Sequence, residues 1–536
     1  MSLRRRDLLA AGAALALPGC RGGRVPENLV PDSPCPTPSY WSTWGVQRLG
    51  DPDVSRRREA FARPDVAADR LTESNLFGPE GWAQAFKAVH GDMILLLDRG
   101  WNQAPGSAAS SGFQSSGWME ISEAKFPSLT GGASQRLAKL SDRLRLLGWK
   151  GLGITASVIA PAGMASELYF RDQLRAGHQS GVLYWKLASR GRLDVRAQRD
   201  LSELASGEAP NLVIENSFPW GPLNDQINPG SVHAMTGSGR FRTWDQGQIL
   251  ETALEIAAFS RVFRTGETTP QLAIPTTLDR VAELLLRGGG DRGNDFLLNC
   301  EDEAYMAAAL GCTMGVMRHP ALRPPADGSP DPRLLRYRTT EVVRALRWQR
   351  IAPPWPVGYT KTDLDGVRLE DDWRLGAGDT VDAGAAGLMV RQGAPARVAR
   401  NTTLPAVSSE GTMPFIVSSR HPNGATAVAA LPRVFAGRGV VYGEADVSVE
   451  VEDPMRPIGV FGRFRSLTLD LVAPPPAMRV MAQDLASDKA EDITERVNLA
   501  GSTMVIPGDL INKVGQSASP RDDQSDPGLI IQIFRE

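Results

Sequence analysis

At 536 residues the chain is too long for one hydrophobic core, so two folded units are expected. A formal net charge of −2, with 42% hydrophobic and 22% charged residues, is ordinary for a globular protein and supplies neither a basic patch nor an acidic tail. Nucleic acid is therefore excluded as a partner, and five scattered histidines without ligand spacing give no reason to expect a metal.

The first element is a leader. Arg4, Arg5 and Arg6 precede an apolar run from Leu8 to Leu17, which ends at Pro18-Gly19-Cys20. That run falls short of the ~20 apolar residues that span a bilayer, but it suits a signal peptide over 1–19. Arg5-Arg6-Asp7-Leu8-Leu9 resembles the twin-arginine export signal, and Leu17-Pro18-Gly19-Cys20 resembles a bacterial lipobox. The resemblance implies acylation of Cys20 and a mature protein in the bacterial cell envelope, held to the membrane by its N-terminal lipid alone. The proline-rich stretch over 20–39 is expected to be a tether. Cys35, Cys300 and Cys312 then remain, allowing at most one internal disulfide, and Cys300 and Cys312 read as small buried apolar residues.

From residue 40 to about 348, short β-like runs alternate with amphipathic helical stretches, which means a parallel sheet covered by helices. Strands are expected at 40–46, 93–98, 151–157, 182–186, 212–215, 240–244 and 296–299, with an eighth between 314 and 350. Helices are expected at 133–147, 195–204, 248–263 and 278–287. Such units suit a (β/α)₈ barrel over 40–355 better than an open doubly wound sheet. No glycine-rich phosphate loop follows any strand, so no cofactor is expected. After Pro353-Pro354-Trp355-Pro356 the pattern becomes one of short alternating runs, at 415–419, 426–431, 446–451 and 466–472, between Gly, Pro, Asn and Asp turns. This predicts an antiparallel β-sandwich over 356–536, with a closing strand at 528–534.

In a barrel of this type the chemistry sits at the C-terminal ends of the strands. There the sequence places Trp41 and Trp44 with strand one, Asp98 and Trp101 after strand two, and Tyr184-Trp185-Lys186 on strand four. Glu215 ends strand five, Arg242 and Asp245 belong to the expected strand six, and Glu301 and Glu303 follow strand seven. An aromatic face stacks on the C–H side of a sugar ring, while carboxylates, Lys and Arg hold its hydroxyls. Glycoside cleavage also needs two carboxyl groups flanking the bond. Each residue has a plainer alternative: Asp245 stands where a helix N-cap would, and Glu301 to Glu303 where a solvated helix start would.

These runs carry a family resemblance. Gly91-Asp92-Met93-Ile94-Leu95-Leu96-Leu97-Asp98-Arg99-Gly100-Trp101 resembles the Asp-Asp-Gly-Trp strand of the α-galactosidase clan, glycoside hydrolase families 27 and 36. Lys125-Phe126-Pro127, followed by Leu147-Gly148-Trp149-Lys150-Gly151-Leu152-Gly153, resembles a second stretch of that clan. Tyr184-Trp185-Lys186 resembles the start of its Lys-x-Asp motif, and Phe241-Arg242-Thr243-Trp244-Asp245 its Arg-x-x-Asp. The resemblance covers nearly the whole chain after the leader. It implies Asp98 and Trp101 as sugar contacts, Lys186 as a hydroxyl ligand and Asp245 as general acid/base.

The departures bear on mechanism. The clan's nucleophile position is Ala188 here, and the second Asp of the Asp-Asp pair is Arg99. A methyl group cannot form a glycosyl-enzyme intermediate, so retaining double displacement is not available with these residues. Two readings follow. In one, the protein is an inverting glycosidase with Asp245 as acid and Glu215 or Glu301 as base. In the other, it is a catalytically inactive glycan-binding lipoprotein. Asp194 is a poor substitute for the missing carboxylate, because it lies eight residues past Lys186, at the start of the next helix.

Overall fold

The computed structural model describes residues 26–47, 64–103, 119–187, 194–218, 233–235, 241–243, 246–265, 273–319, 338–370, 393–435, 439–521 and 523–536. Eight parallel strands close into a barrel: β1 (Ser39–Ser42), β2 (Met93–Leu97), β3 (Gly151–Ala156), β4 (Val182–Leu187), β5 (Val213–Ser217), β6 (Val262–Arg264), β7 (Leu297–Glu301) and β8 (Thr313–Val316). β1 pairs with β2 on one side and with β8 on the other, which closes the ring and leaves no edge. The covering helices are α1 (Ala133–Leu146), α2 (Ser166–Gln179), α3 (Val195–Glu208), α4 (Gln246–Phe259), α5 (Ala273–Gly288), α6 (Ala304–Leu310) and α7 (Thr340–Ile351). Sequence spacing explains their docking. In α1 the buried residues Leu137, Leu140 and Leu144 recur every three or four positions and form one apolar stripe against the barrel wall. Asp194 is an N-cap: its side chain accepts the Ala197 N–H at 2.9 Å, which starts α3 and occupies the carboxylate.

The sixth strand is not where the sequence pattern put it. Residues 241–243 pair antiparallel with 233–235 in a separate hairpin, and the barrel strand is Val262–Arg264, which overlaps the end of the stretch read as the helix 248–263. The helix ends at Phe259, where the Ser260 hydroxyl donates to the Ile256 carbonyl at 2.6 Å and accepts the Asn216 amide at 3.0 Å, which ties the helix end to β5.

The second domain is a sandwich. One sheet has the order Thr362–Leu364, Arg397–Arg400, Phe415–Arg420, Thr426–Leu431, Ile458–Gly462, Gly528–Arg535, Met478–Asp484 and Glu491–Asp492. The other has Ala406–Ser409, Ala445–Val451, Ser466–Leu471, Thr503–Pro507 and Asn498–Ala500. The expected β-sandwich is present, and its sheets are mixed, with three parallel pairs among the antiparallel ones. Arg397–Arg400 with Phe415–Arg420, Thr426–Leu431 with Ile458–Gly462, and Ala445–Val451 with Ser466–Leu471 run parallel, and a helix, Gly508–Gly515, interrupts the strands. Ile416, Val428 and Val460 pack into the core between the sheets, whereas Phe415, Val417, Ala427, Ala429 and Phe461 share the barrel's core. The larger sheet is thus buried on both faces, which explains why Thr426–Leu431 reads as a continuous run of small and apolar residues.

The junction also carries buried charge. The Asp526 carboxylate meets Arg338 and Arg463, the latter at 2.8 Å, and its carbonyl accepts the Tyr305 hydroxyl at 2.6 Å and Arg344 at 3.0 Å. Arg344 forks onto both oxygens of Asp484 at 2.8 and 2.9 Å.

The tether expectation extends too far toward the barrel. From Glu27 onward the chain is fastened. Glu27 accepts the Ala490 N–H at 2.8 Å, the Leu29 N–H donates to Gln483 at 2.6 Å, and the Cys35 N–H donates to Asp92 at 2.8 Å. Lys150 then donates to the carbonyls of Cys35 and Thr37 at 2.9 and 2.5 Å, and Val30 and Cys35 are buried. Among the described residues, no helix is long and apolar enough to cross a membrane.

Removing the Asp526 side chain leaves the buried Arg338 with Glu341 alone as its carboxylate partner among the described residues, and takes the carboxylate from Arg463 as well. Asp526→Ala should therefore cost about 3–5 kcal/mol in urea unfolding, with tryptophan fluorescence and circular dichroism falling together. Separate transitions for the two probes would show that the domains do not depend on this junction.

Candidate functional site

Strand parity decides which side chains enter the barrel. On β1, Tyr40 belongs to the interior cluster with Ile94, Leu96, Tyr184, Val213 and Val262, whereas Trp41 packs outward with the helices. The polar interior is built on Glu215 of β5, which is 0% exposed. One of its oxygens accepts the Tyr184 hydroxyl at 2.6 Å and the Asn299 amide at 2.7 Å. The other meets Arg264 at 2.9 Å and the Tyr40 hydroxyl at 3.4 Å. Burial, and then the charge on Glu215, push both phenols well above their usual value of 10, so each stays a donor. Gly315 on β8 makes room for this: a Cβ there would lie 2.4 Å from the Tyr40 hydroxyl oxygen.

Toward the strand ends the charges alternate. Arg264 also reaches Glu301 at 3.6 Å and donates to the Leu187 carbonyl and the Ser217 hydroxyl, each at 3.1 Å. Lys186 contacts Glu301 at 2.8 Å and Asp98 at 3.7 Å. Asp98 in turn accepts the Ser42 hydroxyl at 2.9 Å and the Arg99 N–H at 2.8 Å. The file Glu215–Arg264–Glu301–Lys186–Asp98 therefore joins five strands or strand ends and carries three negative and two positive charges.

Of the residues the sequence singled out, Asp98, Lys186, Glu215 and Glu301 come together in this file. Trp101 is buried, with its indole N–H on the Thr155 carbonyl at 3.1 Å, and belongs to the core outside the lumen. Trp44 is half-buried, under the Arg99 guanidinium at 5.7 Å. Trp41 as a sugar contact is corrected: it is fully buried outside the lumen, donates to the Arg318 carbonyl at 2.8 Å, and packs on Trp149 and His319. Glu303 as a substrate ligand is corrected too. It is buried at the start of α6 beside Arg318, Asp302, Glu341 and Arg338, on the way to the domain junction. Asp302 takes a left-handed backbone at φ +59°, which breaks the strand alternation that would have turned Glu303 inward. The side chain of Arg242, and all of Ala188, Asp245 and Cys20, lie outside the described residues. Sequence reasoning missed Arg264, and gave Tyr184 and Asn299 no role in the site. Arg264 was passed over because the helix read to residue 263 took in the first two residues of its strand, and the inward direction of the other two follows from the two-residue period of β4 and β7.

No family model matches the chain, and no curated protein is significantly similar to it. Solved structures are similar at low identity. A β-L-arabinopyranosidase of glycoside hydrolase family 27 from Geobacillus stearothermophilus is 9% identical over 94% of this chain and 96% of its own, with a TM-score of 0.41. A proposed α-N-acetylgalactosaminidase from Bacillus halodurans is 10% identical over 93% and 97%, with a TM-score of 0.39. A xyloglucanase of family 44 from Paenibacillus polymyxa is 10% identical over 83% and 94%, with a TM-score of 0.31. Nothing about the chemistry of this chain follows from likenesses at that level.

Glu303 makes a measurable signature. Desolvation pushes its carboxyl from 4.5 up to about 8, against the pull of Arg318. A carboxyl whose folded value is raised holds its proton more tightly when folded. Its contribution is complete below pH 4.5 and is lost as pH rises through about 8, at up to about 1.4 kcal/mol per pH unit. Glu303→Gln should flatten the stability profile in that window and raise the melting temperature at the alkaline end. An unchanged slope in the variant would place the titrating group elsewhere.

Proposed function

We propose that the chain is an exported, lipid-anchored glycoside hydrolase whose pocket lies over the file Asp98–Lys186–Glu301–Arg264–Glu215, and that it inverts configuration. The observation that carries this reading is the file itself: carboxylates and cations gathered from separate strands at the C-terminal end of a closed parallel barrel, where such folds do their chemistry. Lys186 and Asp98 suit sugar hydroxyls, one as donor and one as acceptor. Glu301 is the base of choice, because it is the last residue of β7 and lies nearer the strand ends than Glu215. Glu215 has its contacts taken up by two tyrosines, an asparagine and an arginine, and serves as the anchor of the lumen. Asp245 is assigned as the acid on the family resemblance. Ala188 removes the nucleophile a retaining route would need, so water attacks directly and the anomeric configuration inverts.

A second reading, a catalytically inactive glycan binder, is favoured by one observation: Glu301 is already ion-paired to Lys186 at 2.8 Å, so a base must first exchange that contact for water. The readings separate by experiment. If the protein is a hydrolase, aryl glycosides should be turned over with inversion seen by NMR of the first-formed anomer, and Glu301→Gln should lose roughly 10²–10⁴-fold in rate. A product of retained configuration overturns the mechanism. Glycan binding without turnover of any glycoside selects the binder.

Export and anchoring rest on the Arg run and on Leu17 to Cys20. A palmitate analogue fed to cells should label the protein, and Cys20→Ser should abolish the label. Unlabelled wild-type protein in the soluble envelope fraction would remove the anchor.

A further inference from the structure

We infer that the anchored protein stands on the bilayer with the floor of its barrel down and the strand-end mouth directed away from the membrane. The inference rests on the lipid-anchor reading but not on catalysis. The N-terminal segment does not leave the body at the mouth. It runs beneath the barrel, where every partner lies at the N-terminal end of a strand or the last turn of a helix. The Cys35 N–H donates to Asp92, just before β2, and Lys150, just before β3, holds the carbonyls of Cys35 and Thr37. Arg350, in the last turn of α7, donates to the Pro31 carbonyl at 3.3 Å and pairs with Asp92 at 2.7 Å. Before that, Asn28 and Leu29 bond Gln483, and Glu27 bonds Ala490, on the outer part of the larger sandwich sheet.

Only six residue steps separate Cys20 from Pro26, the first described residue, a leash of about 20 Å even when fully extended. The wall it would have to climb is as tall. α1, which runs from mouth to floor, has 14 residues and is about 21 Å long. A lipid on this leash therefore keeps the floor and the adjoining sheet edge toward the membrane. The substrate class follows from that standing: a glycan reached through water beyond the membrane surface, not a sugar headgroup of a lipid in the same leaflet.

The test reads the distance of each end from the bilayer. The remaining cysteines, Cys35, Cys300 and Cys312, are buried, and Cys20 would carry lipid, so an introduced surface cysteine takes the dye. Leu146, 88% exposed at the end of α1, and Leu286, in the last turn of α5, mark the floor. Ile159, 60% exposed just after β3, and Met164, before α2, mark the mouth. Each Cys variant of the acylated protein is placed on phosphatidylethanolamine–phosphatidylglycerol vesicles that carry a nitroxide on the headgroup. Leu146→Cys and Leu286→Cys dyes should lose fluorescence, and Ile159→Cys and Met164→Cys dyes should keep it. Loss at the mouth positions, or equal loss at all four, overturns the proposed standing. Protein that does not stay on the vesicles removes the anchor and the standing together, and leaves the glycosidase reading to its own assay.

Discussion

The barrel is organised around a carboxylate with no water to turn to. Glu215 is fully enclosed and takes contacts from β1, β4, β6 and β7 through Tyr40, Tyr184, Arg264 and Asn299. A buried charge with incomplete partners costs several kcal/mol, so the arrangement is stable only when all of them are in register. Shifting any of these strands by one residue would turn its donor out of the lumen and replace it with an outward residue such as Trp41 or Trp185. The polar core thus sets register as well as charge. Arg264 carries the constraint to the strand ends: it cannot satisfy Glu215 without also lying against Glu301, and Glu301 in turn meets Lys186.

A similar logic joins the domains. Asp526 is the meeting point of Arg338 and Arg463, while its backbone receives Tyr305 and Arg344, so one short segment of the sandwich gathers several polar contacts from the barrel side. That segment comes close enough to require glycine. A Cβ on Gly528 would lie 2.8 Å from both Arg344 Cδ and the Tyr305 hydroxyl. The apolar contact of Phe415, Val417 and Phe461 with the barrel's core supplies the area, and the charges fix the one orientation in which none is left unpaired.

How much of this could be read from the sequence depended on the length of each element. The strands at 93–97, 151–156, 182–187, 213–217 and 297–301 are five or six residues bounded by recognisable breaks, and their pattern was legible. β6 is three residues, separated from α4 by Ser260 and Arg261 alone, and its Val262 and Phe263 continue the apolar run of the helix. Counting could have found it. Two helices, α4 and α5, follow β5 in succession, and a parallel barrel needs a strand between them. Losing β6 meant losing Arg264, the residue that links Glu215 to Glu301. Trp41 failed for a different reason: an aromatic at a strand end was weighed without strand parity, which puts Tyr40 in the lumen and Trp41 behind it. Glu303 failed because a left-handed Asp302 is not visible in a strand pattern.

The charge balance of the lumen bears on what it can stabilise. Among the described residues of the file, three carboxylates stand against two cations, and both cations are held against carboxylates. A ligand carboxylate would have to displace one of those contacts and add like charge to the site. A neutral sugar only exchanges hydroxyls for existing hydrogen bonds. As a glycosidic bond breaks, positive charge grows at the anomeric carbon and ring oxygen, and a fixed excess of negative charge favours that state over the neutral ground state. In the hydrolase reading proposed above, the charge at the outer end of this file would favour an oxocarbenium-like transition state over the neutral ground state.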